Sequence, residues 1–202
     1  MTELKKYFYN DFPSQLRKIV AGKKTVGFDE KYVFIGGHEW KNFEKDMQKI
    51  PVENRPEFLL SLFMIILTDQ AVYTYEKDLH RIWRENTMFP NFGHWGFGPH
   101  NENPLWILAK ADTDDGLSKN IQTLIPEFTK FLVDETTSYF TQIFGDKIDL
   151  PKYFAAILGD NSYQGGYQLK SSNPETEELR NSKCVAMFKQ YFESELKTQG
   201  FI

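Results

Sequence analysis

"NRPEFLLSLFMIILTDQAVYTYEKDLHRIWRENTMFP", residues 54–90, decides the fold. Asn54 has the side chain of an N-cap, Pro56 suits a first turn, and no Gly or Pro follows until Pro90. The run therefore predicts one helix of about thirty residues, ~45 Å long at 1.5 Å per residue. Its first half, which includes FLLSLFMIIL at 58–67, is apolar almost all round and belongs at the centre of a core. The second half sets Tyr75, Leu79, Ile82 and Trp83 among Glu76, Lys77, Asp78, Arg81, Arg84 and Glu85, the pattern of a helix with one wet face. The run at 58–67 is about half the length that a bilayer span needs, so it predicts a buried helix and no membrane helix.

Working outward, a core helix of this kind needs partners, and the flanking sequence supplies amphipathic ones. Residues 3–21 are helical in pattern but broken at Pro13, with Asp11 as a cap and Leu16, Ile19 and Val20 on one face. The spacing Trp40, Phe43, Met47, Ile50 predicts a helix that stops before Pro51. Between them, TVGFDEKYVFIG at 25–36 has the β-branched and aromatic content of a short hairpin. Downstream, LWILAKA at 105–111 fits either a short strand or the first turn of a helix. The acidic turn DTDDG leads into a long helix over 117–144, kinked or restarted at Pro126. There Asp114 or Asp115 is the cap. Asp149 caps LPKYFAAIL, which ends at Gly159. NSYQGGYQL predicts a second hairpin around Gly165-Gly166. Asn173-Pro174 then opens a last helix, acidic in its first turn and closed by Gly200. No repeat and no low-complexity tract is present. The expectation is a mainly α protein: a single-domain helical bundle over 1–202, of five to six helices with one or two small β-hairpins.

Composition narrows function by exclusion. At 202 residues with 41% hydrophobic and 16% aromatic content, the chain has far too much apolar material to stay disordered. One cysteine, Cys184, allows no internal disulfide and no paired-cysteine zinc site. That usage, together with an N-terminus that lacks an apolar signal region, suits a cytoplasmic protein. The net charge of −4 is unevenly spread: residues 1–100 hold 14 basic against 13 acidic side chains, and 101–202 hold 10 against 15. No basic stripe of the density used for nucleic acid appears. The acidic second half is instead complementary to a basic protein partner.

The residues able to do chemistry form no known catalytic pattern. Cys184 lies among Val185, Met187 and Phe188, where burial raises a thiol pKa and makes it inert. There is no Gly-x-Ser-x-Gly elbow, no phosphate-binding Gly loop and no HExxH helix. DTDDG misses the calcium-loop spacing, with Gly116 fifth and Thr123 twelfth from Asp112. The densest feature is NFGHWGFGPHNENPLW at 91–106, which gathers His94, Trp95, Phe97, His100 and Trp106 in one connection. Aromatic residues of this kind anchor interfaces, and these five are the candidate partner- or ligand-binding residues.

The reading that follows is a non-enzymatic, intracellular, macromolecule-binding protein of adaptor, inhibitor or toxin-neutralising immunity type. It takes a protein partner, no nucleic acid, no membrane and no cofactor. One alternative is a metal-dependent hydrolase with Glu76, His80, His94 and His100 as ligands, since imidazole and carboxylate suit zinc, iron or manganese. Another is a small-ligand binder with an aromatic pocket around Trp95 and Trp106.

Overall fold

The apolar run at 58–67 is almost fully hidden: Phe58, Leu59, Leu60, Leu62 and Phe63 are 0% exposed, and none of the ten residues exceeds 8%. In the computed structural model, which describes residues 2–20, 40–75, 77–86, 104–159 and 177–202, this run is the first half of helix α4 (Arg55–Tyr75). Around it stand α1 (Glu3–Lys6), α2 (Phe12–Val20), α3 (Trp40–Met47), α5 (Lys77–Asn86), α6 (Leu105–Ala111), α7 (Asp115–Phe144) and α8 (Leu150–Leu158). Two more, α9 (Glu177–Arg180) and α10 (Lys183–Thr198), complete the set. Every regular element among the described residues is helical, so the chain is mainly α. Among the described residues there are ten α-helical segments, some of a single turn, against the expected five to six helices. Both expected hairpins, at 25–36 and around Gly165-Gly166, lie outside the described residues, as does Glu76 between α4 and α5.

Aromatic rings carry the packing from one helix to the next. Phe63 of α4 meets Phe188 of α10 edge-on at 4.9 Å between centroids and Phe128 of α7 at 6.1 Å. Phe188 stacks on Phe192, Phe192 contacts Phe154 of α8, and Tyr153 contacts Phe140 of α7 at 4.9 Å. Phe140 then meets Trp83 of α5. At the other end Phe8 and Phe12 bring the N-terminal segment onto Phe131 of α7 and Phe58 of α4. Edge-to-face pairs of this kind add about 0.5–1.5 kcal/mol each beyond the area they bury.

The helix ends follow local rules, with three departures from expectation. Asp149 caps α8 by accepting from the Lys152 N–H at 3.0 Å, and Gly159 ends it with φ +84°. Asp114 caps α7, accepting from the N–H groups of Gly116 and Leu117. Gly200, at φ +75°, closes α10 in a Schellman turn, with Phe201 N–H bonded to Leu196 and Gly200 N–H to Lys197. The first departure is at Pro13, which does not break the N-terminal helix. A π turn over Tyr7–Asp11 precedes it, and the wider turn gives the ring room that a regular turn denies; Asp11 sits inside that turn instead of capping. Second, α7 runs through Pro126 for 30 residues without restarting. Third, the last helix has a fresh start: Asn173 and Pro174 lie outside the described residues, and Ser182 caps α10 by accepting from Val185 N–H. Of the two readings open for LWILAKA, strand and helix, the structure takes the helix, α6.

That fresh start brings Cys184 to the first turn of α10, where a polar knot joins three helices. Asp112, just after α6, accepts from the Cys184 N–H at 3.2 Å, from the Cys184 thiol at 3.0 Å and from the Ser118 hydroxyl at 2.5 Å. Gln122 donates to Ser118 in turn. Burial would raise the Asp112 carboxyl, but the bonds donated by Cys184, Ser118 and Ser182 outweigh it and hold the group below the usual range. Burial and the adjoining carboxylate push the Cys184 thiol up to about 12, so it is a hydrogen-bond donor and no nucleophile.

Two stability predictions follow from buried carboxyl groups that behave oppositely. Asp112→Ala orphans the Cys184 N–H and leaves Ser118 without its acceptor, and should cost about 1–3 kcal/mol in urea unfolding at pH 7. Because its folded pKa is lowered, the Asp112 contribution is present above the unfolded value and lost as pH falls through the folded one, so the gap to the variant should close in acid. An unchanged midpoint at pH 7 would remove the knot from the account. Glu57, near the start of α4, has a buried Oε2 with no partner among the described residues, and burial raises its pKa. Its contribution is present below the unfolded pKa and lost as pH rises through the folded value. Glu57→Gln should therefore melt higher than wild type at pH 7, with the advantage shrinking in acid; a lower melt at pH 7 would mean that the carboxylate is satisfied.

Candidate functional site

Of the residues singled out in the sequence, few fall where the structure describes them. His94, Trp95, Phe97 and His100 lie outside the described residues, as do Glu76 and the side chain of His80, which occupies a helical position on α5. Trp106 is described: it lies on α6, partly buried against the core, with the Lys110 ammonium 5.8 Å from its ring centroid. Among the described residues no three His, Cys, Asp or Glu side chains gather as a metal site would need. The metal reading, and the Trp95 side of the pocket around Trp95 and Trp106, thus rest on residues outside the described ones.

The structure brings together a different set. A half-open pocket lies where the N-terminal segment crosses α4, α5 and α7. Its walls are Phe8 and Tyr9 from the π turn, Met64, Ile65 and Thr68 from one face of α4, and Trp83 from α5. α7 supplies Glu135, Thr136, Tyr139 and Phe140, which share a face because they fall at i, i+1, i+4 and i+5. The cavity measures about 30 Å³.

Two polar features mark this apolar pocket. Glu135 is fixed from two sides: Lys5 of α1 forms an ion pair with Oε1, and the Tyr9 hydroxyl donates to Oε2 at 2.5 Å. Burial and the bond to Glu135 push the Tyr9 phenol above its ordinary value, and burial does the same for Tyr139, so both stay protonated donors. The other feature is Thr136, 3% exposed, whose hydroxyl has no hydrogen-bond partner among the described residues. A buried hydroxyl without a partner is costly in a folded protein, and one that lines a cavity is placed to meet something that enters it. Tyr9, at the pocket, is 40% exposed and is one of three large hydrophobic side chains exposed among the described residues.

Sequence reasoning missed this pocket because its members come from four segments separated by up to 132 positions, from Phe8 to Phe140. Only Trp83 carried a signal, as an aromatic residue on the half-wet part of the long helix.

Thr136→Val replaces the unpartnered hydroxyl with a methyl of similar shape. It should leave the thermal midpoint equal or higher, a gain of about 0–1 kcal/mol. A loss greater than about 1 kcal/mol would show that the hydroxyl is engaged in the resting protein. Neither a scan against protein-family models nor searches of curated proteins and of solved structures found a match to this chain.

Proposed function

We propose that the protein works by binding another protein, one apolar side-chain tip of which seats in the pocket between Phe8, Trp83 and Phe140. The observation that carries this reading is the size and lining of the pocket. Pockets for whole small molecules run to about 300–1,000 Å³. A cavity of about 30 Å³ has room for a methyl-sized group or one water, and so suits the end of a side chain that belongs to something larger. Interfaces concentrate their energy in such anchors, ringed by aromatic contacts that exclude water. Tyr9 at the pocket supplies exposed aromatic surface. The excess of acidic side chains over 101–202 favours a partner with a basic contact face.

The test is an affinity capture from the source cell with wild type and Thr136→Met as baits, the variant first shown to melt as wild type does. Its longer side chain fills the cavity. A partner held by wild type should be depleted about tenfold or more by the variant, and should bind more weakly at high salt than at low salt. If the same proteins are retained by both baits, the pocket is not the anchor and the reading fails.

A further inference from the structure

The wall of the Thr136 pocket holds one carboxylate, and its charge is balanced by a single cation. Glu135 of α7 lines the pocket beside Phe8, Tyr9, Trp83 and Tyr139, with its side chain only 13% exposed. Its Oε1 pairs with the Lys5 ammonium, and its Oε2 accepts from the Tyr9 hydroxyl at 2.5 Å. The same ammonium stands over the Tyr9 ring, 5.8 Å from its centroid, within the range of a cation–π contact. Among the described residues Lys5 is the only cation paired with Glu135. One carboxylate oxygen and one ring face thus make a seat for an ammonium, and the chain fills it with its own lysine.

The two sides of this contact are held with different firmness. Glu135 lies within the 30-residue α7, between Val133 and Thr136, which are 0% and 3% exposed. Lys5 lies on α1, a helix of four residues, and its side chain is 38% exposed. Taking the ammonium away would leave the carboxylate in a largely apolar recess with one tyrosine bond, and a charge stripped of its partner away from water is costly. Anything that displaces Lys5 has therefore to bring a cation of its own. The geometry also chooses between cations. A guanidinium gains its advantage by bonding both carboxylate oxygens, and Oε2 is already taken by Tyr9, so the point charge of an ammonium fits better.

We propose that Glu135 and Tyr9 form a lysine-binding seat, occupied at rest by Lys5 and in the complex by a lysine of the protein partner, next to that partner's apolar anchor. The partner's share in this rests on the pocket reading above, whereas the seat stands without it. Lys5 is then an internal competitor, because a tethered group acts at a high effective concentration and lowers the affinity of any lysine supplied from outside.

The experiment is an NMR shift titration of the full chain, as wild type and as Lys5→Ala, the variant first shown to melt cooperatively. The probes are Nα-acetyl-L-lysine N-methylamide and the matching norleucine and arginine amides. Lys5→Ala should bind the lysine amide with a Kd of about 1–10 mM, and wild type at least about tenfold more weakly. The neutral norleucine amide and the arginine amide should each bind Lys5→Ala at least about tenfold more weakly than the lysine amide, and adding Glu135→Gln should remove binding. No binding of the lysine amide to Lys5→Ala up to about 50 mM overturns the seat, as does equal binding to wild type and Lys5→Ala, or an arginine amide that binds as tightly. In affinity capture, Lys5→Ala should retain more of the partner than wild type does and Glu135→Gln less; a Glu135→Gln bait that retains as much overturns the partner's lysine. The titration uses no partner, so a failed Thr136→Met capture removes the pocket reading alone and a failed titration removes the seat alone.

Discussion

A helix that is apolar on every side must be covered on every side, and the covering of α4 organises this molecule. Nine apolar side chains over 58–67 are removed from water. At about 1.5–3 kcal/mol each, their burial represents roughly 15–25 kcal/mol before chain entropy is counted. That exceeds the net stability of a typical domain, about 5–15 kcal/mol. No single neighbour can supply such cover. α7, α8, α6 and the N-terminal segment each lie against part of the surface, while α10 reaches it through Phe188 on Phe63.

Apolar contact fixes that the helices meet, but it is forgiving about how they are aligned along their axes. Directional bonds do that work here. The Asp112 carboxylate takes one bond from the backbone of α10 and another from a side chain of α7 while itself ending α6, so three helix termini are held to one point. Lys5 and Tyr9 do the same for the N-terminal segment, both closing on Glu135 in the middle of α7. Both points are few-atom clusters at the edge of a large apolar mass, where local geometry is cheap to satisfy and slippage is expensive.

What could be foreseen from the residues divides along the same line. The core helix, the caps at Asp114, Asp149 and Gly200 and the end of α8 at Gly159 were legible because each depends on residues within four positions of one another. Pro13 misled because a proline's cost depends on the turn around it, and the π turn before it absorbs that cost; at Pro126 the helix is continuous and does not restart. The α10 start at Ser182 was hidden behind the stronger-looking Asn173-Pro174 signal. The candidate sites were the least legible part. Phe8, Trp83 and Thr136 have nothing in common until the chain is folded, whereas the histidine and tryptophan cluster at 91–106 was conspicuous only because it is contiguous.

The π turn at Tyr7–Asp11 has a further meaning for how this chain tolerates change in length. A π turn holds one residue more than the α-helical path it interrupts, so the segment before it is out of step with the segment after it. Remove one residue there and the helix closes into regular register, swinging everything upstream by about 100° around the axis. Lys5 would then leave Glu135, although every side chain involved would still be present. The attachment of the N-terminus is thus encoded as a count of residues as much as by their identities, and sequences of this kind are expected to vary more freely in composition here than in length.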